Sequence, residues 1–91
     1  MAHVVVYLTP WCPYCHAAER LLEKKGVRDI ERIRVDGTRD LRREMEQRSG
    51  RYTVPQIFIN EYHVGGFDDL AALERSGRLD SLLAGLPAGD A

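Results

Sequence analysis

Cys12-Pro13-Tyr14-Cys15 decides how this chain is read, approached through Thr9-Pro10-Trp11 and left through His16-Ala17-Ala18-Glu19-Arg20. These are the only two cysteines among 91 residues. An apolar run, His3 to Leu8, precedes them. Within it Val4-Val5-Val6-Tyr7-Leu8 is nearly continuous, as expected of a central strand buried on both faces. After them Ala17, Ala18, Leu21 and Leu22 recur at helical spacing, with Glu19, Glu23 and Lys24 on the other side and Gly26 as a C-terminal stop. The spacing predicts a strand that delivers Cys12 to a tight turn, then a helix over 13–25 that begins beside it. At a helix N-terminus the unpaired N–H groups and the macrodipole favour negative charge, which suits a thiolate. Pro13 fits the first helical turn, because the N–H it lacks would have no partner there. Cys15 follows one turn later, near enough to attack the sulfur of Cys12. The pair reads as a dithiol that cycles through a disulfide.

Outward from that motif, Ile30 to Val35 is a short strand, and Asp36-Gly37-Thr38 a turn and N-cap. Residues 40–49 are charged with Leu41 and Met45 at i, i+4, so a helix with a narrow buried face is expected, ended by Gly50. Thr53-Val54-Pro55 leads into a strand over 56–60. Glu61 to Gly66 is the other half of a hairpin that turns near Asn60-Glu61. Asp68 and Asp69 open a further helix with Leu70, Ala72 and Leu73 on its apolar face. Ser76-Gly77 breaks it, and Leu79, Leu82, Leu83 and Leu86 make a last short helix. The order is β-α-β-α-β-β-α-α, an α/β domain over 1–86 with one mixed sheet flanked by helices, and a short flexible tail over 87–91.

Composition is that of a soluble globular domain: 44% apolar, 30% charged and a net charge of -1. The charge gives no general reason to bind nucleic acid or membrane, although Arg39, Arg42 and Arg43 could hold a small anion. No apolar run approaches the roughly 18–20 residues that span a bilayer. The first residues lack the basic and apolar regions of a secretory signal, so the cytoplasm is the expectation. There disulfides are mostly transient and catalytic.

Each constellation has a bland reading beside the functional one. Two inert buried cysteines would also give C-x-x-C. Zinc wants four ligands, and His3, His16 and His63 are scattered, so no metal is expected. Cys12 to His16 also spells the haem-attachment pattern C-x-x-C-H. The strand running straight into Cys12 and the ordinary helix around Met45 argue against it. Thr53-Val54-Pro55 could be a plain turn into a strand. Beside a redox pair, its extended backbone can instead pair with a peptide-like substrate, and a cis Val54–Pro55 bond would suit that use. Gly65-Gly66-Phe67-Asp68-Asp69 could be only a hairpin end and a helix cap. Its glycines would also let a ligand approach, with the N–H groups of Phe67 and Asp68 taking a carboxylate and the Asp68 side chain an ammonium. Trp11 and Tyr14 flank the thiols and would shape a groove. Arg42 alone reads as a solvated surface charge.

Taken in this order, Cys-Pro-Tyr-Cys, Thr-Val-Pro and Gly-Gly-Phe-Asp-Asp closely resemble a dithiol glutaredoxin of the bacterial type, over about residues 3–84. Arg48-Ser49-Gly50-Arg51 and Pro55-Gln56-Ile57-Phe58-Ile59 belong to the same likeness. The resemblance implies a thioredoxin-like fold with a four-stranded mixed sheet, and glutathione as co-substrate. It implies Cys12 as the nucleophile that takes the glutathionyl group and Cys15 as the resolving thiol. Tyr14 would line the cleft, Thr53 and Val54 would meet the glutathione backbone beside a cis Pro55, and Gly66, Phe67 and Asp68 would hold the γ-glutamyl end. Arg42 falls where the family places a side chain for the glycine carboxylate. The implied partners are glutathionylated or disulfide-bonded proteins, with the glutathione reductase system acting indirectly, for a monomeric cytoplasmic enzyme. Thr9 departs from the pattern: the family usually carries a lysine three residues before the nucleophile. Without that cation, a less readily formed thiolate and a weaker hold on glutathione are expected. Two alternatives stay open on the sequence. One is a redoxin of the same fold reduced by thioredoxin reductase; the other is a carrier of an iron–sulfur cluster held by Cys12 and glutathione.

Overall fold

In a computed structural model, residues 2–85 are described. The tail expected over 87–91, and Leu86 before it, lie outside the described residues. The elements run β1 (Val4–Leu8), α1 (Pro13–Lys24), β2 (Ile30–Arg34), α2 (Arg39–Ser49), β3 (Gln56–Ile59), β4 (Tyr62–Gly65), α3 (Phe67–Ser76) and α4 (Arg78–Leu83). This is the predicted order.

The strands form one mixed sheet in the order β2-β1-β3-β4. β1 runs parallel to β2, with Val4 opposite Ile30 and Leu8 opposite Arg34, and antiparallel to β3, with Val4 opposite Ile59 and Tyr7 opposite Gln56. All five residues of β1 are buried, which is why it carries no polar alternation. Side chains along a strand alternate between faces. Val4, Val6 and Leu8, with Ile57 and Ile59, therefore meet Ala18 and Leu22 of α1, Leu70 of α3, and Leu79 and Leu82 of α4. Val5, Tyr7 and Phe58 point to the other face, where Met45 is the one buried residue of α2. The narrow apolar stripe of α2 is thus sufficient for its seat.

Boundaries shift where backbone geometry overrides pattern. α1 stops at Lys24; Gly26 takes a left-handed φ of +88°, and the Val27 N–H closes on Leu22 O at 3.1 Å. Val35 leaves β2 but stays buried, its N–H donating to Leu8 O at 3.0 Å. α2 begins one residue early, at Arg39, because the Thr38 hydroxyl accepts from Leu41 N–H at 3.2 Å. The β3–β4 hairpin turns at Asn60, at φ +54°. α3 corrects the expectation that Asp68 and Asp69 open it: Gly66 is the N-cap and Phe67 the first helical residue. The cap is inverted, since Asp69 reaches back to accept from the Gly66 N–H at 3.0 Å. Among the described residues no helix is long and apolar enough to cross a membrane.

Candidate functional site

β1 ends in the middle of the sheet, and Thr9, Pro10 and Trp11 carry the chain over its edge to α1. The Cys12 N–H closes this turn on Thr9 O at 3.4 Å. Cys12 is the N-cap of α1 with extended backbone, and its Sγ accepts from the Cys15 N–H at 3.2 Å. Sulfur here fills the place a serine or aspartate oxygen takes at most helix starts, so it sits against the Cys15 N–H of the first turn. His16 Nε2 lies 2.8 Å from Pro10 O. A carbonyl only accepts, so that nitrogen carries the hydrogen and ties the turn to the helix. Trp11 stands 70% exposed on the turn.

Cys15 lies one turn further in and is wholly buried. Burial pushes its thiol up to about 12, the Cys12 sulfur adds to the rise, and a backbone hydrogen bond with Thr9 pulls the other way. Cys15 is therefore a thiol at neutral pH.

A second segment faces the first. The Val54–Pro55 peptide bond is cis, and the Cys12 thiol donates weakly to Val54 O at 3.8 Å. The third segment is the start of α3, where Phe67 stacks on Tyr14 with ring centroids 6.4 Å apart. Together the three segments enclose a cleft of about 300 Å³. Of the residues singled out in the sequence, Tyr14, Thr53, Val54, Pro55, Gly66, Phe67 and Asp68 all line it.

Arg42 is not brought into that lining. Its guanidinium donates to Tyr52 O at 3.1 Å, and it borders a separate concavity with Asp36, Thr38 and Arg39. Two residues to which the sequence gives no site role also line the cleft: Arg51 and Asp69. Arg51 Nη1 donates to Asp69 Oδ2 at 3.0 Å. The Gly66 N–H, first, and the Arg51 guanidinium hold the Asp69 carboxyl below its usual range, against partial burial. Gly65 sits at φ +112°, a conformation L side chains rarely adopt, and a Cβ there would displace the Asp69 carboxylate and come within 2.9 Å of Arg51 Nη1. Spacing gives no signal that separates Arg51 from the neighbouring surface arginines. Thr9, which departs from the family pattern, is buried beneath the turn.

Comparison with known proteins agrees with this geometry. The family model described as glutaredoxin matches residues 4–64. A glutaredoxin of Pseudomonas aeruginosa is 56% identical over 84 residues, covering 92% of this chain and 99% of that protein. Glutaredoxin 3 of Escherichia coli is 53% identical over 83 residues, covering 91% and 99%. Among solved structures, a buckwheat glutaredoxin–glutathione complex superposes with a TM-score of 0.83 at 30% identity, covering 92% of this chain and 78% of that one.

Proposed function

This chain belongs to the glutaredoxin family and is a glutathione-dependent thiol–disulfide oxidoreductase, and on that premise we propose how its residues divide the reaction. Cys12, as thiolate, attacks the glutathionyl sulfur of a protein–glutathione mixed disulfide. The S–S bond breaks, the protein thiolate leaves, and Cys12 carries the glutathionyl group. The thiolate of a second glutathione attacks that group, giving glutathione disulfide and Cys12 thiolate again. On a protein disulfide, Cys12 attacks first and one substrate thiolate leaves. Cys15 then loses its proton and attacks Cys12 Sγ, releasing the second thiolate and closing the Cys12–Cys15 disulfide, which two glutathiones reduce. Once Cys12 sits in a mixed disulfide its sulfur carries no charge, which removes one of the influences holding Cys15 protonated.

The cleft supplies the binding. The Thr53 and Val54 backbone beside the cis Pro55 pairs with the peptide-like body of glutathione. The Phe67 and Asp68 N–H groups at the start of α3 take the γ-glutamyl carboxylate, with Gly66 admitting it, and the Asp68 side chain takes the ammonium. Tyr14 forms the wall. Arg42 stands outside the cleft lining and donates to the Tyr52 carbonyl one residue from Thr53; its part is the glycine carboxylate, at the end of the ligand that extends past the cleft. Glutathionylated and disulfide-bonded proteins are the partners, the glutathione reductase system returns the glutathione, and the enzyme works as a cytoplasmic monomer.

The observation that carries this reading is the placement of Cys12 Sγ, held by the Cys15 N–H and facing the Val54 carbonyl of the cleft lining. The test is NADPH consumption on a small mixed disulfide, coupled separately to glutathione with its reductase and to thioredoxin reductase alone. Turnover with glutathione only is expected. Turnover with thioredoxin reductase only would overturn the cleft assignments.

A further inference from the structure

We propose that His63 is a positioning residue for glutathione, acting through the buried Gln56 on the Thr53–Val54 peptide of the cleft. The proposal rests on the reading of that cleft given above. It begins with Gln56, whose carboxamide is completely buried although it opens an otherwise apolar strand. A buried amide has to find partners at both ends. Gln56 Nε2 donates to Thr53 O at 3.0 Å and lies 3.3 Å from Thr53 Oγ1. The Thr53 carbonyl only accepts, so the amide orientation is fixed and Oε1 faces away. Oε1 meets His63 Nε2 at 2.7 Å, so that ring nitrogen carries the hydrogen and donates it.

The ring is delivered there by a fault in the sheet. Ile57 pairs with Gly65, so regular antiparallel pairing would set Phe58 opposite Val64. The observed partner of Phe58 is His63. One extra residue on β4 is a β-bulge. It sends Val64 into the core on the α1 side and places His63 on the face of Phe58 and Gln56. His63 stacks on Phe58 at 4.8 Å between centroids, and the Arg48 guanidinium lies 4.0 Å over that phenyl ring. Burial and the Arg51 and Arg48 charges hold His63 below the usual histidine range, with Asp69 opposing, so the neutral ring is the one in place.

The effect on the cleft follows from peptide planarity. The Thr53 C=O and the Val54 N–H share one plane and point in opposite directions. Pulling the Thr53 carbonyl inward onto Gln56 turns the Val54 N–H outward, toward the side on which a peptide-like ligand pairs. The same segment carries the Val54 carbonyl, 3.8 Å from Cys12 Sγ. His63 thus sets the pairing edge without touching ligand or sulfur.

Two variants separate this role from simple packing. His63→Phe keeps the stack on Phe58 and removes the donor. His63→Gln places an amide N–H at the reach of Nε2 and removes the stack. In the glutathione-coupled assay, His63→Phe is expected to raise the KM for glutathione about five- to tenfold with kcat within about twofold, and His63→Gln to stay within about twofold of wild type. A wild-type KM in His63→Phe, or a His63→Gln enzyme as impaired as His63→Phe, overturns the proposal. Gln56→Met, which fills the same volume without an orphaned amide, is expected to raise the KM like His63→Phe, and a wild-type value there also overturns it. The Val54 amide resonance gives a readout independent of turnover: it should move in His63→Phe and not in His63→Gln. A wild-type enzyme that does not turn over with glutathione defeats the functional reading, and an unmoved Val54 resonance defeats this one.

Discussion

Gly65 offers the sharpest test of how the cleft floor is built, and the perturbation is a single methyl group. In Gly65→Ala the new Cβ occupies space held by the Asp69 carboxylate and crowds Arg51 Nη1, at a backbone φ of +112° that L-residues avoid. Three contributions can be worked separately. The backbone conformation costs about 1–3 kcal/mol for a residue with a Cβ. Displacing Asp69 breaks its bond from the half-buried Gly66 N–H, worth about 0.5–1.5 kcal/mol. The Arg51–Asp69 pair is about half-exposed on both sides and adds at most about 1 kcal/mol. The expected destabilisation is about 2–5 kcal/mol, or roughly 10–30 °C in Tm for a domain of this size. The assay is urea and thermal denaturation of the variant, alone and in an Asp69→Ala background. Without the carboxylate only the backbone contribution remains, so the second effect should be about 1–3 kcal/mol and smaller than the first. The pH dependence has a definite sign. A carboxyl depressed in the folded state stabilises above its unfolded pKa, and that stability is lost as pH falls through the folded value. Wild type should therefore lose more stability than Gly65→Ala on acidification below about pH 4, and the gap between them should narrow. A destabilisation under 1 kcal/mol, or one equal in both backgrounds, would refute the overlap as the cause.

Three further outcomes are expected. Cys15→Ser should keep deglutathionylation within about threefold and lower protein-disulfide reduction at least about a hundredfold, since only the second reaction uses the resolving thiol; equal loss of both in the coupled assay would defeat the division of roles. Met45→Ala should cost about 2–5 kcal/mol in urea unfolding, because Met45 is the one fully buried anchor of α2; a cost below 1 kcal/mol would mean that the Tyr7–Glu44 hydrogen bond, at 2.7 Å, seats the helix instead. Thr9→Lys should lower the KM for glutathione by up to about tenfold at low salt, the gain fading as ionic strength rises. A KM unmoved at low salt would show that the buried start of the turn cannot present the cation.

What the sequence discloses here is whatever is decided locally. The unbroken apolar run of β1, the i, i+4 pair on α2, the glycine stops and the threonine cap each act within a few residues, and each is found in place. The cleft was legible for a related reason. Its three segments each carry a backbone peculiarity, namely a cap, a cis proline and a glycine pair, and such features show as residue types. Side chains that reach across the fold do not. Arg42 and Arg51 are both arginines beside polar neighbours, and only the fold ties one to the Tyr52 carbonyl and turns the other onto Asp69. Gln56 at the head of Gln-Ile-Phe-Ile reads as a polar strand end, yet it is buried, because its partners Thr53 and His63 come from a loop and from a bulged strand. The bulge itself leaves no mark in a period-two pattern only four residues long. The start of α3 is hidden for the same reason: Asp68 and Asp69 both suit a cap by residue type, and only the reach of Asp69 back to Gly66 shows that it stabilises the first turn from inside.

The two thiols show why the motif needs the whole fold around it. Cys12 and Cys15 are one helical turn apart, and nothing in C-x-x-C says which of them reacts first. The difference is made by packing. The first is the cap, at a surface turn, with the Cys15 N–H on its sulfur and a cleft beside it. The second projects from the inner face of α1 into the core shared by Val4, Ala18 and Leu70, where burial keeps it protonated. On the division of roles proposed above, that protonation orders the events: a resolving thiol that ionised readily would close the disulfide on Cys12 before glutathione could reach the mixed disulfide. A substitution that opens the core around Cys15, Leu70→Ala for example, should therefore shift the partition of a glutathionylated Cys12 toward internal disulfide and away from glutathione. The ratio of the two products after a single turnover measures this, and an unchanged ratio would mean that burial does not set the order of attack.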